Sequence, residues 1–153
     1  MADPSDILAW QRLSEQITTS GKLEEHDPAR LAAIGVRKVV NLAMPDHPEA
    51  LADPDGLFAA HGIAYTNIAV PFAAPEEGHF AAFVEAIESA DGPVHVHCIM
   101  NWRVSAFCYR YHRDACGMPE AEARALMERQ WSPERSDHPD APTWAAFIGE
   151  SEA

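Results

Sequence analysis

Long apolar runs are absent from this sequence of 153 residues. A membrane-spanning helix needs about 18 to 20 consecutive apolar residues, so we expect neither a membrane span nor a membrane partner. A secretory leader is not indicated either, because acidic side chains occupy the place of the basic start and apolar middle of a signal peptide, in MADPSDILAWQRL. We therefore expect a cytoplasmic protein.

Basic residues are also scarce. The sequence has 11 Lys and Arg against 24 Asp and Glu, which gives a net charge of −13. A chain of this charge repels the phosphate backbones of nucleic acids at long range. The composition therefore predicts that nucleic acid is not a partner.

The cysteines are few, odd in number and without metal-binding spacing. There are three, and no CxxC pair occurs, so neither a disulfide framework nor a structural zinc site is indicated. His95 and His97 lie on one face of a predicted strand, but no third ligand is near in sequence. We predict no metal and no cofactor, and we expect Cys108 and Cys116 to be small buried apolar side chains.

Apolar and β-branched segments alternate with segments of helical periodicity. No linker divides the chain, so we predict a single domain over residues 1–153. Strands are predicted at 17–23, 36–42, 63–70 and 94–97, and helices at 28–34, 57–61, from 76 to about 90, from 103 to 116 and from 119 to 131. Alternation of this kind predicts a three-layer α/β/α fold with a central, mostly parallel sheet of four or five strands, in which the short apolar strand 94–97 lies in the middle.

The most informative stretch follows that strand, in PVHVHCIMNWRVSAF. Ligands of such sheets bind beyond the carboxyl ends of the strands, and the backbone N–H groups of a loop that enters a helix form a cradle for an anion. Arg103 adds a planar fork that matches two phosphate oxygens, and this positive environment is expected to keep the Cys98 thiol ionised. A nucleophile and an anion receptor are thus predicted together. The phosphate-binding loop comprises Ile99, Met100, Asn101, Trp102 and Arg103.

These residues resemble the signature of the cysteine-based protein tyrosine and dual-specificity phosphatases: His-Cys, a phosphate loop, and Arg at the start of a helix. The segments TSGKL, GVRKVVNL, GIAYTNIAV and DGPVHVHC-x4-RVSAF together look like small bacterial members of this superfamily, over roughly residues 17–117. The resemblance implies that Cys98 forms a phosphocysteine intermediate and that Arg103 binds the phosphoryl oxygens. His97 is then expected to bond to the loop backbone rather than to act as an acid or base.

Three features depart from that pattern. The loop has four residues between Cys98 and Arg103 where the family has five, and Asn101 is the residue best suited to the positive φ for which the family uses glycine. The hydroxyl residue that follows the arginine in the family is displaced by one place, to Ser105. The upstream loop VPFAAPEEGHF lacks the family's acidic Asp, so Glu76 is the candidate general acid. Glu77 and Asp46 are further candidates, although acids in the first turn of a helix are commonly structural.

The sequence therefore predicts a phosphatase that acts on a phosphomonoester, either a phosphorylated small molecule or a phosphoprotein. Two alternatives remain open. One is a protein that binds a phosphorylated or other anionic ligand without turnover, which the missing Asp favours. The other is a rhodanese-like sulfurtransferase, which the short loop favours. Trp102 is expected either in the core or as a wall of the pocket.

Overall fold

A computed structural model describes residues 2–149. Its strands are β1 (Gln11–Arg12), β2 (Ile17–Ser20), β3 (Lys38–Asn41), β4 (Ala64–Asn67) and β5 (Val94–His97). Its helices are α1 (Asp27–Ala33), α2 (Pro54–Ala59), α3 (Glu77–Glu88), α4 (Trp102–Arg110), α5 (Glu120–Glu128) and α6 (Ala141–Gly149), and a π-helical turn, Tyr111–Ala115, extends α4. None of the helices in this part of the chain has the length and apolar character that crossing a membrane requires.

The strands form one mixed sheet in the order β1-β2-β5-β3-β4. Strands β2, β5, β3 and β4 are parallel, and β1 pairs with β2 in the antiparallel sense. The predicted mostly parallel sheet with 94–97 at its centre is confirmed. The two-residue strand β1 was not predicted, because it is too short to carry a periodic signal.

Helices cover both faces of the sheet. Val39 of β3 packs in a core with Leu31 of α1 and Phe58 of α2. Its neighbour Val40 points to the opposite face and packs in a larger core that includes Phe107 of α4. Successive side chains of a strand alternate between the two faces of the sheet. Val39 and Val40 are therefore both buried, one on each face.

The start of α1 differs in one detail from the expectation. Asp27 was the expected capping residue, but it is the first residue of the helix and His26 occupies the cap position. The Asp27 carboxylate instead accepts a hydrogen bond from the Glu24 backbone N–H at 2.7 Å, which closes the turn before the helix. Gly35 ends the helix region with φ of +92°, as its place in the sequence predicted.

Helix α6 was not predicted, yet it anchors the upstream loop that runs past the site. The indole Nε1 of Trp144 donates a hydrogen bond to the Phe72 carbonyl at 2.6 Å, and the two rings stack with centroids 5.3 Å apart. The C-terminal helix therefore fixes the position of Phe72.

Candidate active site

Cys98 and Arg103 flank the loop that joins β5 to α4. Cys98 directly follows β5 and is only 1% exposed. Arg103 is the second residue of α4 and is also buried. The strand, loop and helix therefore occur where the sequence predicted them, at the carboxyl edge of the parallel strands.

Asn101 gives the loop its turn. It has φ of +69° and ψ of 5°, the left-handed conformation for which Asn was the best-suited residue of this glycine-free loop. Its side-chain Nδ2 donates to the Ala9 carbonyl at 2.9 Å and contacts the Thr19 hydroxyl at 3.1 Å. Its backbone carbonyl accepts a hydrogen bond from the Ser105 backbone N–H at 2.9 Å. Asn101 therefore connects the loop both to the N-terminal segment and to α4.

Gly21 supports the loop from the neighbouring strand end, and the sequence reasoning did not find it. The Lys22 backbone N–H donates to the Ile99 carbonyl at 3.0 Å. A Cβ atom on Gly21 would lie 2.5 Å from the same oxygen, a distance that no side chain tolerates. Only glycine therefore allows β2 and the loop to approach this closely. The signal was in TSGKL, but only the pairing of β2 with β5 gives it a meaning.

Arg103 has a guanidinium group that is anchored but not neutralised. One of its nitrogens, Nη1, donates to the Val70 carbonyl at 2.9 Å, and its Cζ lies 5.7 Å from the centroid of the Phe72 ring. Among residues 2–149, no carboxylate forms an ion pair with it. Its remaining N–H donors and its full charge are thus available to an anion.

Cys98 and Arg103 line a common cavity of about 360 Å³. Its other walls come from the predicted loop and from three separate segments, and are formed by Met44, His47, Phe72, Ile99, Met100, Trp102 and His138. Trp102 also stacks on the Trp131 ring at 5.0 Å with an interplanar angle of 5°. It is therefore both a wall of the cavity and part of the aromatic packing behind it.

The cavity also contains the imidazole rings of His47 and His138, which the sequence did not indicate as site residues. Both are far in sequence from the Cys98 loop and lie in irregular segments. The Nδ1 atom of His138 accepts the Asp140 backbone N–H at 3.0 Å, and that of His47 accepts the Glu49 backbone N–H at 2.9 Å. A neutral ring whose Nδ1 accepts must carry its proton on Nε2. Each ring therefore keeps an N–H donor. The His138 ring is further held edge-on against Phe72, with centroids 4.8 Å apart.

The structure does not bring Glu76 to the thiol and the guanidinium. Glu76 precedes α3, where its backbone N–H donates to the His79 imidazole at 3.0 Å, and it lines a shallow depression beside Thr143. The adjacent Glu77 pairs with the Arg110 guanidinium at 2.5 and 3.0 Å. Because Arg110 is fully buried, Glu77 has a structural role there. Of the described residues that line the cavity shared by Cys98 and Arg103, none is a carboxylate.

Asp46 is exposed, between the two loop residues that reach the cavity. It is not part of the cavity wall.

His97 and Ser105 both bond to backbone next to the loop. The His97 Nδ1–H donates to the Cys98 carbonyl at 3.3 Å, and burial lowers the pKa of His97 to about 4. The ring is thus neutral at neutral pH, in line with a supporting role. The Ser105 hydroxyl donates to the Trp102 carbonyl at 3.0 Å, inside the first turn of α4.

His95 lies two residues before His97 in β5, so its side chain is on the same face of the sheet. Its Nε2–H donates to the Ser20 hydroxyl and its Nδ1 accepts from the Thr18 hydroxyl, both at 2.8 Å. Burial lowers the pKa of His95 well below its ordinary value. These bonds hold β2 against β5 just below the loop.

The two remaining cysteines differ from each other. Cys108 is buried, and this burial raises the pKa of its thiol. Cys116 is exposed, so the expectation of a buried side chain was wrong there. Gly117 follows it with φ of +68° and turns the chain away from the helix, which leaves Cys116 at the surface.

No protein-family model and no curated protein matches the chain. Solved structures do. A candidate phosphatase (DUF442) from Shewanella putrefaciens CN-32 is 26% identical, with a TM-score of 0.83 over 96% of this chain and 95% of that one. TpbA of P. aeruginosa, solved as its C132S variant in complex with pTyr, is 17% identical, with a TM-score of 0.73 over 99% and 88%.

A third structure, Tk-PTP in the active form, is 16% identical, with a TM-score of 0.68 over 92% of this chain and 95% of that one. The three structures are cysteine-based protein tyrosine phosphatase-like proteins. Over nearly its whole length, this chain has the fold of those proteins, as the sequence resemblance implied.

Proposed function

We propose that this protein is a cysteine-dependent phosphatase that hydrolyses phosphomonoesters. One observation carries the proposal: Cys98 and an Arg103 guanidinium without a carboxylate partner among residues 2–149 line the same cavity, at the start of a helix. A nucleophile beside an unneutralised phosphate receptor is what phosphoryl transfer to a thiol requires. The fold shared with phosphatases supports the same function.

The reaction follows from these groups. The Cys98 thiolate attacks phosphorus, a sulfur–phosphorus bond forms, and the bond from phosphorus to the ester oxygen breaks. Arg103 and the backbone N–H groups at the start of α4 stabilise the phosphoryl oxygens through both steps. Water then attacks the phosphocysteine and releases inorganic phosphate and the Cys98 thiolate.

The leaving oxygen needs a proton unless the leaving group is stable as an anion. Since no carboxylate lines the described cavity, we propose that the enzyme favours aryl phosphates, whose phenolate leaving groups need little acid assistance. The Nε2–H groups of His47 and His138, which line the cavity, donate hydrogen bonds to the phosphoryl or leaving oxygen. The phosphotyrosine bound to TpbA is an aryl phosphate, which supports a phosphorylated substrate of this kind, either small molecule or phosphoprotein.

A second candidate is a protein that binds a phosphorylated ligand without turnover. It is favoured by the same lack of a carboxylate in the cavity and by the loop of four residues between Cys98 and Arg103. The sulfurtransferase alternative has only the loop length in its favour.

One set of measurements separates these functions. Wild type is expected to hydrolyse p-nitrophenyl phosphate, Cys98→Ser to lose turnover while inorganic phosphate still raises its melting temperature, and Arg103→Ala to lose both effects. His138→Gln should reduce kcat/KM severalfold, whereas Glu76→Gln should match wild type.

The alternatives give different results in the same experiment. Phosphate stabilisation of wild type without turnover would establish the binding protein. A gain of one sulfur on Cys98 after thiosulfate, seen by mass spectrometry, would establish the sulfurtransferase. If phosphate neither binds nor protects Cys98 from alkylation, the proposed site is wrong.

A further inference from the structure

A second cavity, of about 260 Å³, lies on the sheet face that packs against α1 and α2. The row of Val39 on that face is mixed, because His95 and Thr18 lie in register with this valine. One row further towards the carboxyl ends, the side chains are polar. In this row Asn41 of β3 lies in register with His97 of β5 and with Asn67 of β4, and all three line the cavity. A cavity lined by polar side chains at the carboxyl ends of parallel strands is the usual place of a ligand in α/β folds.

His97 provides a buried hydrogen-bond acceptor in this row that has no partner. The side chain is 5% exposed. Its Nδ1–H is used by the Cys98 carbonyl, so the neutral ring has a bare Nε2, and that atom has no hydrogen-bond partner among residues 2–149. A buried polar atom left without a partner costs free energy. A ligand that donates a hydrogen bond there would remove this cost.

Tyr65 provides the complementary donor. Its hydroxyl oxygen accepts the Asn41 side-chain Nδ2–H at 3.1 Å, which leaves the phenolic proton available to the cavity that Tyr65 lines. Burial raises the pKa of Tyr65, so this proton is retained at neutral pH. The cavity thus offers one acceptor and one donor.

The charges of the wall argue against an anion. Lys22 is paired with Glu49 at 2.8 Å, and Asp55 adds a further carboxylate. Arg103, the cation that suits phosphate, lines the other cavity. Much of the remaining wall is aliphatic, from side chains such as Leu51 and Ile99.

We propose that this cavity is a second binding site, which takes a small uncharged molecule bearing a hydroxyl group. A hydroxyl can both donate to His97 Nε2 and accept from the Tyr65 hydroxyl, while the carbon part of the ligand lies against Leu51. The site does not require that the protein be a phosphatase. It adjoins the proposed active site, because Cys98 and Ile99 line both cavities.

The test uses phenol, glycerol and myo-inositol as probes, with saturation-transfer NMR and calorimetry on the wild-type protein. We expect saturable one-to-one binding of at least one probe in the millimolar range, as suits ligands of so few atoms. Tyr65→Phe should weaken that binding by about threefold to tenfold, the effect of one lost hydrogen bond. Leu51→Trp, which fills the cavity, should abolish it.

Two controls separate this site from the anion site. Arg103→Ala should lose phosphate binding but keep probe binding, and Met100→Ala, in the other cavity, should leave the probe affinity unchanged. The proposal is overturned if no probe binds to wild type, if Tyr65→Phe binds as tightly as wild type, or if Arg103→Ala loses the probe together with phosphate. Since Tyr65→Phe is a small change, it keeps the test valid even if Leu51→Trp does not fold.

Discussion

Acid should destabilise this protein through His97, and the effect can be isolated. In the folded protein burial lowers the pKa of His97 to about 4, from an ordinary 6.5. The folded state therefore excludes a proton that the unfolded chain binds. The stability that depends on a neutral His97 is complete above pH 6.5 and is lost as the pH falls from there towards 4.

The size of this effect follows from the two pKa values. Each pH unit between them is worth about 1.4 kcal/mol. The contribution of His97 to the free energy of unfolding should therefore fall by about 2 kcal/mol between about pH 7.5 and pH 5, and by about 3 kcal/mol at pH 4. For a protein of this size that is a large part of the total stability.

The assay is urea denaturation of wild type and His97→Gln across this pH range. The glutamine amide can still donate to the Cys98 carbonyl, but it does not titrate. His95 and the carboxylates titrate in both proteins, so their contributions cancel in the difference between the two profiles. We expect wild type to lose about 2 kcal/mol more than the variant by pH 5. Parallel profiles would refute the reasoning, since His97 would then take up its proton without cost.

Three further predictions concern the supports of the loop and its surroundings. Gly21→Ala places a Cβ against a loop carbonyl and should weaken phosphate binding at least about tenfold; unchanged calorimetric affinity would contradict the close approach. Asn101→Ala should lower the free energy of unfolding by about 2 kcal/mol, and Asn101→Gly should lower it by less, because glycine accepts the positive φ. Equal losses of stability for the two variants in urea denaturation would exclude a backbone cause. Glu77→Gln should lower the free energy of unfolding by about 1–2 kcal/mol by weakening the ion pair with buried Arg110, whereas Glu76→Gln should lower it by less than about 0.5 kcal/mol. Similar melting temperatures for the two variants would contradict a structural role of Glu77.

The sequence by itself determined the order of the four parallel strands and of helices α1 to α5, and the position of the loop. Four parallel strands were readable because each is a short β-branched or apolar run bounded by glycine or proline. The loop between Cys98 and Arg103 was readable because its parts are contiguous, and the positive φ of Asn101 followed from the lack of glycine there. These are local properties, set within a few residues of chain.

Tertiary structure decided which distant residues share the cavity. His138 lines the same cavity as Cys98, and its ring is held there by Phe72 and Trp102, but nothing near it in sequence indicates this. The expectation for Glu76 rested on the chain position of a loop, but the direction in which that loop presents its side chains depends on packing against α6, an element without a clear sequence signal. Contacts between segments far apart in sequence depend on how helices pack across the sheet, and no local pattern encodes that geometry.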